Sequence, residues 1–179
     1  FCLEYLLQDT AVSKIISIGR RPLQIVHPKL EQVLLADNKL LMPVHADAFI
    51  SCLGTTIKKA GSKTAFEAID RHLPVHIATA LQKNGCTSVA VVSSMGTSKN
   101  ALVFYSKVKW KMEEDMHLIG FQSVHIMRPS IIDGKRNEHR AGERFFLKFT
   151  KLMHPLMFGS LKHFKAIEAA TIAKALVRC

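Results

Sequence analysis

A tyrosine and a lysine four positions apart, Tyr105 and Lys109, lie in a stretch that reads as helix from Leu102 to Leu118. Residues i and i+4 share one helix face, so the phenol and the ammonium would be neighbours. A nearby ammonium favours phenolate, which lets a tyrosine exchange a proton with a substrate oxygen as general acid or base. Ser93 and Ser94, the latter eleven residues before the tyrosine, close the strongest strand signal of the chain, which starts at Ser88. Either hydroxyl could hold the same substrate oxygen; Ser94 is the preferred candidate and Ser93 the alternate. A Tyr-x-x-x-Lys pair alone carries little information, because lysine is common. The serine pair at a strand end, within an alternating α/β pattern, gives the pair its meaning.

Two other features end strands. Gly19-Arg20-Arg21 follows the β-rich run that begins at Lys14. Many dinucleotide sites carry an acidic residue near here, which accepts from a ribose 2′-hydroxyl. Two guanidinium forks would instead suit a 2′-phosphate, although locally they also read as an exposed pair closing a strand. Arg128-Pro129-Ser130 ends the strand after the tyrosine helix, where a segment can flank the other half of a cofactor. In open parallel sheets ligands bind at the C-terminal ends of the strands, so these separated features could share one site.

The elements that must position them follow from apolar patterning. Residues 1–8 read as a helix, 14–19 as a buried strand, 24–26 as a short strand, 48–54 as a strand and 55–63 as a loop. The run 64–84 reads as a helix that Pro74 kinks or divides, with Gly85 as its C-cap. Strand 88–94, helix 102–118 and strand 121–127 follow, then helices over 143–157 and 166–177. Strands alternating with helices argue for an α/β fold, doubly wound on a parallel sheet with helices on both faces. The length of 179 residues suits a single domain, with the part after about residue 130 as a small substrate-side cap.

Composition narrows the function classes. Hydrophobic residues make up 48% and charged residues 22%, a globular balance and not a disordered one. The net charge of +11 favours anionic partners such as nucleotide phosphates. No dense basic run carries interleaved aromatics, so a nucleic-acid partner is not expected. The four cysteines, Cys2, Cys52, Cys86 and Cys179, are scattered and read as unpaired thiols of a reducing compartment. With no signal-like or membrane-length apolar segment in these residues, the expectation is a cytoplasmic location.

In order along the chain stand Ile18 to Arg21, Cys52 to Thr56, Val92 to Gly96, Tyr105 to Lys109, Arg128 to Ser130 and Arg140 to Glu143. That ordered set, over roughly residues 1 to 145, resembles the HIV Tat-interacting-protein oxidoreductase family of atypical short-chain dehydrogenases. The resemblance implies a Rossmann fold and NADP(H), with NAD(H) less favoured. It implies that Arg20 and Arg21 hold the adenosine 2′-phosphate, that Leu53 and Gly54 line the cofactor cleft, and that Tyr105 is the acid/base. Lys109 would bind the nicotinamide ribose and tune the tyrosine; Ile132 and Arg140 would fall where the family closes over the cofactor, and Arg128 would flank its nicotinamide half. The glycine-rich turn that normally carries the pyrophosphate would fall just before Phe1 and is not among these residues.

The expected activity is hydride transfer to or from a carbonyl or alcohol, with a small-molecule substrate and room for a protein partner. A non-catalytic NADP(H) sensor and a nucleotide-sugar epimerase are the alternatives, and a basic nucleic-acid module is a third. His72 and His76 have a chelating i, i+4 spacing without a third ligand, so no metal is expected. Glu113, Glu114 and Asp115 read as solvated charge. Residues 145–158, with their aromatics, methionines and lysines, read as packing against the domain.

Overall fold

The computed structural model describes residues 1–40, 42–133 and 166–179. Its elements are α1 (Cys2–Gln8), β1 (Ile15–Gly19), β2 (Leu30–Leu34), β3 (Ala48–Ser51), α2 (Ile57–Ala60), α3 (Lys63–Glu67), a π-helical turn (Ala68–His72), α4 (Leu73–Lys83), β4 (Ser88–Val92), α5 (Phe104–Leu118), β5 (Ser123–Met127), β6 (Ile132–Asp133), β7 (Ile167–Glu168) and α6 (Ala169–Val177). Every strand pairing between these elements is parallel. The strands fall into three pieces: β1 with β2, the triplet β3-β4-β5, and β6 with β7.

The triplet is covered on both faces, which is why β4 reads as an unbroken apolar run. Val89 and Val91 pack with Ala78 of α4 and with Met112 and Met116 of α5. Ala90, pointing the other way, packs with Ile172 and Leu176 of α6 and with Cys2 of α1. A third cluster joins the two larger sheet pieces: Val33 of β2, Val44, Leu73, Ile77, Leu81 and Cys86, with Ile16 and Ile18 of β1 against it. The register sets Ala48 opposite Ser88, and Val92 opposite Met127. The strands therefore end side by side on one edge of the triplet.

The helix expected over 64–84 is continuous in direction but not in winding. Proline at 74 has no N–H and would press on the carbonyl four residues back. The chain takes up one extra residue in a π-turn over Ala68–His72, and the Leu73 N–H donates to the Ala68 carbonyl. Pro74 then sits in the first turn of α4, where a missing N–H costs nothing. Asn84 caps α4, and Gly85 takes the left-handed conformation at φ +94°.

Two local expectations are corrected. Residues 24–26 form no strand; β2 lies at 30–34 instead. Pro22 and Pro28 flank the segment, and Val26 is left fully exposed, so no sheet face rewards pairing there. Within the expected loop 55–63 the chain forms α2, because the Thr56 hydroxyl accepts from the Lys59 N–H and Gly61 ends the turn at φ +87°. Helix 143–157 lies outside the described residues.

A charge network ties the π-turn to α5. Arg71 Nε donates to Asp115 Oδ2 at 2.7 Å and Arg71 Nη1 to Glu67 Oε1 at 2.9 Å, while Lys111 lies 3.3 Å from the same Glu67 oxygen. Asp115 is thus a structural ion-pair partner and not solvated charge. The Arg71 hydrogen bond, reinforced by Lys111, holds the Glu67 carboxyl below its ordinary value of 4.5. Because the folded value is depressed, this stabilisation is complete above 4.5 and is lost as pH falls through the folded value. Thermal melts from pH 7 to pH 3 should therefore show Glu67→Gln about 0.5–1 kcal/mol less stable at pH 7. The gap should close in acid; a gap that persists at pH 3 would refute the assignment.

Candidate functional site

Helix α5 carries two adjacent rows. Val108, Met112 and Met116 form the apolar row and are fully buried. Tyr105, Lys109 and Glu113, also at i, i+4 and i+8, form the polar row beside it. That row runs from the rim of the sheet inward, and each of its members meets a different environment.

Tyr105 is half-buried in an aromatic nest. Its ring centroid is 5.6 Å from that of Phe66 at a 42° tilt, and Phe66 also lies 6.1 Å from Phe104. Phe66 is completely buried, so the tyrosine ring rests on a fixed wall. Lys63 Nζ stands 5.5 Å above the Phe104 ring, holding a cation at the mouth of the nest.

Lys109 is buried, 3% exposed, but polar groups surround its ammonium. Nζ lies 3.0 Å from Oδ1 of Asp70, a π-turn residue that is 1% exposed. Asp70 Oδ2 accepts from the Thr55 N–H at 2.8 Å. No aligned N–H or O–H donor reaches Oδ1 among the described residues, so the Lys109 charge is what compensates it. Burial raises the Asp70 carboxyl above its ordinary value, and Lys109 and the Thr55 N–H act against that rise. A side chain at position 54 would place its first carbon 3.9 Å from Nζ and 3.6 Å from Oδ1. Gly54, which is exposed, leaves that approach to the ion pair open. Leu53 beside it is half-buried on the cluster of α4.

Glu113 departs furthest from expectation. It is 1% exposed and not solvated. Ser93 Oγ donates to its Oε1 in a short hydrogen bond, and Thr97 Oγ1 donates to the same oxygen at 3.0 Å. Arg128 Nε lies 3.1 Å from both carboxylate oxygens. Arg128 is thereby drawn onto α5, and its side chain stays about half exposed. The loop after β4 is pinned from both sides: Ser93 N–H donates to the Met127 carbonyl at 2.7 Å, and Met95 N–H to the Pro129 carbonyl at 2.9 Å. Ser94 stands between those two bonds at the sheet edge. Its hydroxyl meets only the Met95 carbonyl, at a long 3.3 Å, among the interactions described.

Other expected residues lie apart. Arg20 and Arg21 are exposed just after β1, on the two-stranded piece. Ile132 is half-buried in β6 and packs with the Ala90, Ile172 and Leu176 cluster. Arg140 lies outside the described residues. The cysteines are free, yet Cys2 and Cys52, 50 positions apart in the sequence, come together. The hydrogen bond to Cys52 lowers the Cys2 thiol to about 7, and the same bond pushes the Cys52 thiol up. No group of three potential metal ligands occurs among the described residues, His72 and His76 included.

Asp70 and Glu113 are the two residues that sequence reasoning missed. The signals were present in the pattern. Asp70 interrupts the apolar row Phe66, Leu73, Ile77, Leu81, and a lone carboxylate on a buried face demands a partner. Glu113 follows Tyr105 and Lys109 at the same four-residue step.

No family model matches the chain. The mitochondrial protein FMP52 of Aspergillus niger is 33% identical over 98% of the chain and 79% of its own length. Mitochondrial FMP52 of Candida glabrata is 34% identical over 79% of the chain, which spans only 64% of that relative's length. Among solved structures, a short-chain dehydrogenase family protein of Francisella tularensis superposes with TM-score 0.60 at 13% identity, over 98% of this chain and 83% of that one. MoeE5 in complex with UDP-glucose and NAD gives 0.58 at 15% identity, over 86% and 57%. RMD from Pseudomonas aeruginosa complexed with NADPH gives 0.52 at 14%, over 99% and 70%. At such identities these structures establish the fold, which is Rossmann-like. Two expectations change. The relatives bear the name FMP52 and not that of the Tat-interacting protein. The cytoplasmic location is overturned, because the curated relatives are named as mitochondrial. That expectation rested on a missing signal, and import addresses are read by receptors and leave no mark on the packing of a domain.

Because Glu113 holds two hydroxyls and a guanidinium, Glu113→Ala should cost about 1–3 kcal/mol, as expected when buried donors lose their acceptor while the half-exposed Arg128 turns to water. Urea unfolding measures it, and a loss under about 1 kcal/mol would show that the three donors find water instead.

Proposed function

The chain belongs to the family of the mitochondrial protein FMP52, and from that premise we propose that it is an NADP(H)-dependent oxidoreductase of short-chain dehydrogenase type, acting in mitochondria on a carbonyl or alcohol substrate. The observation that carries this reading is the placement of Tyr105 and Lys109. They lie one helical turn apart on α5, and glycine at 54, three residues after the end of β3, leaves the approach to the ammonium open.

The residues fit a dinucleotide. A side chain at 54 would fill the space over the Asp70–Lys109 pair, and its absence suits a ribose hydroxyl reaching Nζ. Leu53 and Gly54 would line the cofactor by backbone contact. Arg20 and Arg21, exposed after β1, would meet a 2′-phosphate. Ile132 and Arg140 would close over the nicotinamide end, where Arg128 would lend its charge. The bound cofactor supplies or accepts the hydride.

The chain's own groups handle the proton. Tyr105 gives a proton to the substrate oxygen in reduction and takes it back in oxidation. Lys109, one turn along the same helix face, would bind the nicotinamide ribose and so hold the cofactor beside the phenol. Ser94 donates to the substrate oxygen and orients it. Ser93 is the weaker candidate for that task, because its proton is already given to Glu113. The Phe66 wall fixes the plane of the tyrosine ring and keeps water from one side of it. Solved relatives of the fold are described in complex with NAD and with NADPH, which supports a nicotinamide cofactor without choosing between the two.

Tyr105→Phe in the full chain should abolish NADPH-dependent turnover on a panel of aldehydes and ketones. NADPH affinity should stay within about threefold, as for a group that acts only on the reacting atoms. Equal turnover in the variant would overturn the acid/base role; NADPH binding without turnover in the wild type would favour a sensor. Replacing Arg20 and Arg21 together by alanine should lower the NADPH over NADH preference by about 10- to 100-fold, the loss of one or two charge-assisted pairs. An unchanged ratio in fluorescence titrations would refute the phosphate role.

A further inference from the structure

Asp70 belongs to none of the groups that a nicotinamide site requires by chemistry alone, yet its environment is costly. A carboxylate that is 1% exposed, with one oxygen lacking an aligned donor, is retained only against strong compensation. It touches two elements that would otherwise be independent. Oδ1 faces Lys109 of α5 at 3.0 Å, and Oδ2 takes the Thr55 N–H of the β3–α2 loop at 2.8 Å. Gly54, the residue before Thr55, lies over the ion pair itself: a first side-chain carbon there would be 3.6 Å from Asp70 Oδ1 and 3.9 Å from Lys109 Nζ. The π-turn that bears Asp70 is also braced to α5 through Arg71 and Asp115, so the carboxylate has little freedom to follow either side.

We infer that Asp70 is the positioning residue of the site: one carboxylate holds the Lys109 ammonium against Gly54 and fixes the Thr55 backbone at the same height, so α5 and the β3–α2 loop act as one body. This assignment deepens the cofactor reading above and rests on it for its consequence in catalysis. The clamp itself can be tested without cofactor. Asparagine at 70 keeps an oxygen for the Thr55 N–H but removes the charge that answers Lys109. Alanine removes both. The two variants should therefore release different partners, which a general loss of stability would not do.

The test uses the native full chain. Acetic anhydride acylates accessible amines, and peptide mass spectrometry reads each lysine separately. Amide deuterium exchange reads Thr55. In the wild type, Lys109 should be protected while Lys111, 44% exposed, reacts freely. In Asp70→Asn, Lys109 should acylate about tenfold faster or more, the response to breaking a buried ion pair, with Thr55 exchange near wild type. In Asp70→Ala both should open. The Cys86 thiol, buried under α4, should stay unreactive to iodoacetamide in both variants and so reports that the core is intact. Unchanged Lys109 acylation in Asp70→Asn, or Cys86 reacting along with Lys109, overturns the proposal. If Asp70→Asn yields no folded protein, Asp70→Glu decides: the retained carboxylate should keep Lys109 protected, and its release would sink the idea. NADPH titrations of the same proteins separate the two claims. A wild type that passes the acylation test but binds neither NADPH nor NADH removes the cofactor reading alone. A failed acylation test with NADPH binding intact removes the clamp alone.

Discussion

The positive charge of Lys109, held inside the protein, is the constraint on which the site depends. An ammonium that is 3% exposed must be answered by a carboxylate within the fold, and Asp70 provides it from a different helix. A second buried carboxylate, Glu113, sits one turn further along α5 and gathers Ser93, Thr97 and Arg128. Helix α5 is therefore bound to its surroundings by charge along one row and by apolar contact along the next. Neither row would suffice: the apolar row sets the depth of the helix, and the polar row sets its rotation and its position along the sheet edge.

The π-turn makes this arrangement compatible with the sequence. Proline at 74 forbids a regular helix through residue 70, and the extra residue of the turn accommodates it without breaking the helix direction. The same turn bears Asp70 toward Lys109 and Arg71 toward Asp115. A local conflict in backbone hydrogen bonding thus coincides with the point where the helix pair is cross-linked. Such coincidences are frequent where helices carry functional groups.

Fold and function are supported to different depths. The parallel triplet, covered on both faces, and its likeness to dehydrogenase structures fix the architecture. The same architecture serves dehydrogenases, epimerases and binding proteins, so the activity has to be argued from side chains. The side chains that could set it lie on the polar row of α5 and on the loops after β3 and β4. The arginines after β1 stand exposed on a separate strand pair, and the phosphate role proposed for them rests on their chemistry.

Much of the architecture was legible in the residues. Strand β4, helix α5 and the ends of α4 follow from apolar spacing and from glycine and proline punctuation, and Tyr105 and Lys109 follow from the period of the helix. The short strand β2 was not legible, because Glu31 and Gln32 interrupt its apolar residues, and only the cluster around Val33 selects it over residues 24–26. Nor was the state of Glu113: three acidic residues in a row look solvated until the neighbouring loops bring hydroxyls and a guanidinium to one of them. Sequence by itself determined which residues lie on each face of an element, since that is a matter of local geometry. Tertiary structure alone decided which charges meet, because Asp70 and Lys109, or Glu113 and Arg128, come from segments whose approach is set by the packing of the whole sheet and not by either segment.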